Sequence, residues 1–86
     1  MKEYKLTIST PDGSYFQGNV VALYVDGTEG QLAVLAGHTP FITVIKEGDV
    51  RIELENTTER TGTIQGGILT VDKNNVTVLS STFSWK

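Results

Sequence analysis

The residues able to do chemistry are few and lie far apart in this 86-residue chain. It has one histidine, His38, and no cysteine, which excludes thiol nucleophiles and thiolate metal sites. The four aspartates stand singly, in contexts typical of turns and strand edges: Asp12, Asp26, Asp49 and Asp72. No calcium loop, Gly-x-Ser-x-Gly elbow or Gly-Lys-Ser/Thr phosphate loop is present in the sequence. These observations predict a non-catalytic protein that uses no metal or cofactor and takes no small-molecule substrate.

Charge and hydropathy narrow the class of partner. Seven basic and ten acidic residues give a formal net charge of −3, and the basic residues are scattered. Binding to nucleic acid needs clustered positive charge that displaces counterions from phosphates, so we expect no nucleic-acid partner. No apolar run reaches the ~18 residues of a membrane span, and no signal peptide precedes the first alternating segment. We therefore expect no direct membrane insertion, and a cytoplasmic location for the isolated chain.

The dominant hydrophobic period is two, which predicts strands. Tyr4, Leu6 and Ile8 alternate with polar residues, and residues 50–54 repeat the pattern. Residues 69–71 and 76–78 flank an Asn-rich turn and predict a hairpin. Nine glycines and two prolines interrupt the chain, and its longer segments are rich in β-branched residues, which suit strands better than helices. The sequence predicts a single all-β domain over residues 1–86, a sandwich or barrel.

Three central stretches are apolar on both faces of a predicted strand: residues 20–25, 32–36 and 41–45. Two interpretations stand side by side. These strands could lie in the centre of the sandwich with both faces covered by the chain itself. Alternatively, one face is a docking surface, because a sandwich this small covers only its inner faces.

Four segments together resemble a known family. They are residues 27–40 (GTEGQLAVLAGHTP), 45–52 (IKEGDVRI), 66–71 (GGILTV) and 75–79 (NVTVL). In order and spacing they resemble the N-terminal domain of the epsilon subunit of F-type ATP synthases, called delta in mitochondria. The resemblance implies a flattened sandwich of about ten short strands at the foot of the central stalk. It implies a rotor subunit that binds gamma and the c ring, couples proton flow to ATP synthesis, and performs no bond chemistry.

The resemblance also assigns contact residues and a location. The predicted c-ring loop is Gly27, Thr28, Glu29, Gly30 and Gln31. The predicted gamma contacts are Val21, Leu23, His38, Pro40, Phe41 and Val44. His38 has a local alternative, a turn residue that hydrogen-bonds backbone, and Glu29 has the alternative of a solvated loop charge. The implied location is peripheral, on the cytoplasmic face of the energy-transducing membrane.

The chain departs from the family at two places. Ala36 stands where the family often has proline before Gly37-His38. The sequence ends at Lys86, so we expect a domain without the family's C-terminal helical hairpin, able to couple but unable to autoinhibit or sense nucleotide. Phe83 and Trp85 are expected to pack on the sandwich edge, with a frayed tail as the alternative. The competing function is a stand-alone β-sandwich module that recognises a protein or ligand.

Overall fold

A computed structural model describes residues 2–28, 30–55, 58–73 and 75–86. These residues form eight strands and no helix, so none of them lies in a helix that could cross a membrane. The strands are β1 (Tyr4–Thr10), β2 (Gly13–Val20), β3 (Ala22–Gly27), β4 (Gly30–Leu35), β5 (Phe41–Glu53), β6 (Glu59–Val71), β7 (Asn75–Ser80) and β8 (Ser84–Trp85). The all-β prediction is confirmed.

The strands form one open sheet that folds over itself. Their order is β2-β1-β7-β6-β5-β3-β4, and β8 pairs with β6. β1 and β7 run parallel, and the other pairs are antiparallel. The Tyr4 hydroxyl in β1 nevertheless donates a hydrogen bond to the Val34 carbonyl in β4, although these strands are distant in the sheet order. The two ends of the sheet therefore face each other across one core, as in a sandwich.

The strand count is eight, so the prediction of about ten short strands is wrong. β5 and β6 are each 13 residues long and stay paired in one register from Phe41↔Val71 to Glu53↔Glu59. Pairing is interrupted only between Ile45↔Gly67 and Glu47↔Gln65. Gly66 lies there with a φ of 103°, a left-handed conformation that glycine adopts without a Cβ penalty. The long strands bend at this point instead of ending.

The core is made of residues from seven of the strands, β1 to β7. Leu6 and Ile8 of β1 are fully buried, as are Val50 and Ile52 of β5, which confirms both predicted alternations. Leu69 pairs with Val78, and Val71 with Val76, in the antiparallel β6–β7 hairpin predicted from the sequence. The remaining core side chains include Val20, Leu23, Val25, Val34, Ile45 and Phe83.

Candidate protein-docking face

A row of aliphatic side chains crosses three neighbouring strands on the outside of the sandwich. Val44 of β5 pairs with Ile68 of β6, which pairs with Leu79 of β7. Their exposed fractions are 56%, 45% and 47%, and Ile42, on the same face of β5, is 75% exposed. The chain neighbours of this row, Ile45, Leu69 and Val78, are buried in the core. Because side chains alternate along a strand, the row must point outward.

A second row on this face carries hydroxyl groups. Ile42 pairs with Thr70, Thr70 with Thr77, and Thr77 with Thr7 of β1. We call the outward residues of these strands the docking face: Thr7, Ser9, Ile42, Val44, Ile68, Thr70, Thr77 and Leu79, with Lys5 and Asn75 at its border. Within these positions Lys5 is the one charged residue, so the face is nearly neutral in a chain with a net charge of −3.

The opposite outer face has the reverse character. Tyr24 and Asp26 of β3, Arg51 of β5 and Glu59 of β6 point outward there. The Arg51 guanidinium lies 4.2 Å above the Tyr24 ring and 3.2 Å from the Glu59 carboxylate. Interface cores are depleted of charged residues. The contrast between the two outer faces therefore favours the docking face as the surface that a partner covers.

Two shallow depressions shape the docking face. One, of about 740 Å³, lies beside the aliphatic row and is lined by Pro11, Val44, Gly66, Ile68 and Leu79, among others. The second, of about 470 Å³, is lined by residues that include Pro40, Phe41, Ile42 and Thr70. Exposed aliphatic side chains beside a concave surface are typical of protein-binding patches.

His38 lies in the turn between β4 and β5, beside Tyr4. The two ring centroids are 5.3 Å apart in an edge-to-face arrangement. Both imidazole nitrogens are screened from solvent, and neither has a hydrogen-bond partner within the described ranges. The alternative of a turn histidine that hydrogen-bonds backbone is therefore not what this structure has.

The structure brings together only part of the predicted gamma-contact set. Pro40, Phe41 and Val44 are exposed at the β5 end of the docking face. Val21 and Leu23, in contrast, are only 8% and 0% exposed to solvent. Leu23 belongs to the core, and Val21 is buried at the β2–β3 junction. Their expected place on an outer face is corrected: in residues 20–25 it is Tyr24 that points outward.

Three aliphatic residues of the docking face, Ile42, Ile68 and Leu79, are absent from the predicted gamma contacts. Ile68 and Leu79 were not chosen, although each follows or precedes a buried aliphatic residue, Leu69 or Val78. Adjacent residues in one strand point to opposite faces, so in each of these aliphatic pairs one member must point outward, and the sequence indicated this. Ile42 lies within the apolar stretch 41–45 that the sequence analysis singled out.

The predicted c-ring segment forms the β3–β4 hairpin. Gly27 pairs with Gly30 next to the hairpin tip, and Gly30 has a φ of 122°. Thr28, Gly30 and Gln31 are exposed, whereas Gly27 is buried. Glu29 lies outside the described residues. Within the described ranges, no three His, Asp or Glu side chains cluster where they could hold a metal ion together.

Comparison with known proteins now identifies the family. Residues 3–86 match the sequence family described as "ATP synthase, Delta/Epsilon chain, beta-sandwich domain". The chain belongs to this family. It resembles a chain in the Euglena gracilis mitochondrial ATP synthase structure of OSCP, F1 and c-ring, with a TM-score of 0.91 and 25% identity. That match covers 96% of this chain and 53% of the Euglena chain, so the delta/epsilon domain described here spans about half of it.

A second solved structure shows the same fold. A chain of the Tetrahymena thermophila mitochondrial ATP synthase central stalk and c ring matches with a TM-score of 0.77 at 17% identity. That match covers 95% of this chain and 66% of the Tetrahymena chain. Both chains come from structures of mitochondrial ATP synthases, and the fold is what this second match shares with the chain.

Proposed function

We propose that this delta/epsilon domain is a non-catalytic central-stalk subunit of a proton-translocating F-type ATP synthase. It binds the gamma subunit and the c ring and couples proton flow to ATP synthesis. The observation that carries the proposal is the docking face, a nearly uncharged aliphatic surface on a chain of this family.

Gamma is the partner assigned to the docking face. The face crosses four strands, which at ~4.8 Å per strand gives a width of about 15 Å. A specific interface buries about 800 Å² on each partner, and a face of this width supplies its apolar centre. Completing the burial of a half-exposed Val, Ile or Leu contributes about 1 kcal/mol per side chain. Val44, Ile68 and Leu79 together favour a stable complex.

The β3–β4 hairpin is assigned to the c ring. Its tip is polar in sequence and is followed by Gly30, which is exposed and has open space where a Cβ would stand, so that another surface can approach closely. Thr28 and Gln31 are exposed there and available for polar contacts. With gamma on a sheet face and the ring on a hairpin tip, one rigid sandwich links two rotor components. A rigid link is what transmission of torque requires.

The alternative of a stand-alone recognition module calls for a concave groove that holds a peptide or a ligand. The docking face is instead broad, with two shallow depressions along a sheet surface. This shape favours a large folded partner over a short ligand.

Binding to purified gamma tests the proposal. Ile68→Glu and Val44→Glu place a charge in the centre of the docking face and should abolish co-purification, because a buried charge without a partner is strongly unfavourable. Ala33→Glu is the matched control, since Ala33 is exposed in β4 opposite Tyr24 on the charged face. It should leave binding unchanged. Equal binding by all three variants, or no binding by the unmodified chain, would overturn the gamma assignment.

A further inference from the structure

The last residue of β7 and the segment that follows it cross from the docking-face strands to the first half of β6. We call residues 80–86 the strap. Within it β8 pairs with β6 through Gly62↔Trp85 and Thr63↔Ser84, and the Lys86 amide donates to the Thr61 carbonyl at 2.9 Å. The strap therefore connects the two halves of the strand that bends at Gly66.

Phe83 seats the strap in the core. Its side chain is buried and belongs to the hydrophobic core. Gly62 lies directly beneath the ring, and a Cβ at this position would collide with it. The absence of a side chain at Gly62 thus forms a socket for Phe83, and the expected packing of this aromatic residue on the sandwich is present.

Trp85 closes the strap from outside. The Arg60 guanidinium lies 3.9 Å from the centre of the indole ring, within the range of a cation–π contact. The Phe83 ring meets Trp85 edge to face at 4.8 Å. The Lys86 ammonium lies 3.0 Å from the Asp49 carboxylate, but both groups are exposed, so this ion pair contributes little. The Phe16 ring of β2 also lies edge to face with the indole at 6.3 Å, so Arg60, Phe83 and Phe16 are the groups that hold Trp85.

Two hydroxyls join the strap to the bend of β6. The Ser80 hydroxyl donates to the Gly66 carbonyl at 2.5 Å, and the backbone amide of Gln65 donates to Thr82 Oγ1 at 3.2 Å. Ser80 pairs with Gly67 and directly follows Leu79, which pairs with Ile68. The hydrogen bonds that fix the strap therefore lie within one to three residues of Ile68 and Leu79 in the aliphatic row of the docking face.

We infer that the seated strap positions the docking face for its partner. Arg60, Phe83 and Trp85 act as positioning residues: they hold the strap, the strap holds the Gly66 bend through Ser80 and Thr82, and the bend sets Ile68 beside Leu79. None of the three side chains belongs to the docking face. The inference rests on the proposed function for the identity of the partner, but the coupling between strap and face is a property of this chain.

Two measurements on the unbound chain test the coupling. Trp85 is the one tryptophan, so its fluorescence reports on strap seating. Amide exchange followed by NMR reports on the docking face. Arg60→Ala should shift the Trp85 emission to the red and speed exchange at residues 65–68 and 79–80 by about tenfold, because local opening governs exchange. Exchange at Leu23 and Val25, on the far side of the core, should not change.

The controls separate strap release from general loosening. Arg51→Ala removes the other arginine that lies over a ring, Tyr24, and should leave both readouts unchanged. Arg60→Lys keeps a cation over the indole and should restore most of the protection. If Arg60→Ala leaves the Trp85 emission unchanged, the strap has not been released, and Gly62→Ala serves as the second variant because its Cβ would collide with Phe83. Amide exchange at residues 65–68 and 79–80 in Gly62→Ala then tests the coupling.

Gamma affinity then links the strap to function. Releasing the strap should weaken gamma binding by about fivefold, a modest coupling between distant sites. A shifted Trp85 emission with unchanged exchange at residues 65–68 and 79–80 would overturn the inference, as would equal effects of Arg51→Ala. If the unmodified chain fails to bind gamma, the proposed function fails, while the exchange experiment still decides whether the strap controls the face.

Discussion

The Tyr4 hydroxyl donates a 2.6 Å hydrogen bond to the Val34 carbonyl oxygen, and this bond joins β1 to β4 across the interior of the sandwich. β4 ends the strand order on one side, so its outward carbonyls have no further strand to pair with. The Tyr4 side chain satisfies one of them in a buried setting. Its ring also packs against His38 in the turn that follows β4.

Removal of this hydroxyl should destabilise the domain. Tyr4→Phe keeps the ring but leaves the buried Val34 carbonyl without its donor, which costs about 1–2 kcal/mol. Urea denaturation followed by circular dichroism measures the change. Tyr15→Phe is the control, because the Tyr15 ring is exposed and its variant should unfold at the same urea concentration as the wild type. Equal stability of Tyr4→Phe and wild type would contradict a structural role for the bond.

The same residue predicts an alkaline limit of stability. Burial raises the pKa of Tyr4 above its ordinary range, with a smaller contribution from Tyr24. The folded state thus holds the phenolic proton more tightly than the unfolded state does. The resulting stability is complete below the unfolded pKa of about 10 and is lost as pH rises above it. Tyr4→Phe should show a smaller decline between pH 10 and 11 than the wild type, and parallel declines would contradict the assignment.

Two isoleucines of β5 lie on different faces of the strand, Ile52 in the core and Ile42 on the docking face. Ile52 is fully buried, and Ile52→Ala should cost about 2–5 kcal/mol through lost burial and the cavity left behind. Ile42 is the most exposed large aliphatic residue among those described, and Ile42→Ala should change stability by less than about 0.5 kcal/mol. Thermal denaturation of the two variants gives the comparison. A similar loss of stability in both would mean that the two faces of β5 are wrongly assigned.

The sequence predicted the alternating strands well and the doubly apolar strands poorly. The inward direction of Leu6 and Ile52 can be predicted from the sequence because polar residues flank both of them. Leu23 does not, since its neighbours are apolar and the period cannot show which face a second layer covers. Only the folding of the sheet over itself decides that Leu23 points into the core and Tyr24 outward, while Val44 is left exposed.

The strand count failed for a related physical reason. The buried side of β5 and β6 changes parity at the bend, from Ile45 to Val50 and from Ile64 to Leu69, while the pairing of the two strands continues. The hydrophobic period alone therefore makes each long strand look like two. Gly66 and Gly67 lie at the bend, where Gly66 has a positive φ. A Cβ on Gly67 would collide with the Leu79 carbonyl. The strap, by contrast, depends on tertiary contacts such as Arg60 over Trp85, which no local pattern predicts.

The hairpin assigned to the c ring predicts a separation of coupling from gamma binding. Glu29 lies outside the described residues, between exposed Thr28 and Gly30, and the sequence predicts that it pairs with a basic group of the ring. Glu29→Lys should reduce ATP-driven proton pumping in reconstituted vesicles, because it replaces attraction by repulsion. Gamma binding should stay unchanged, since the docking face lies on other strands.

Ionic strength sharpens this last prediction. A solvent-accessible ion pair is worth less than about 1 kcal/mol and is screened by salt. The pumping defect of Glu29→Lys should therefore be largest at low salt and shrink as salt is added. Glu53→Lys makes the same charge change on the charged outer face of β5 and should leave pumping intact at every salt concentration. If Glu29→Lys lost pumping and gamma binding equally, or pumped fully at low salt, the assignment of the β3–β4 hairpin to the c ring would be wrong.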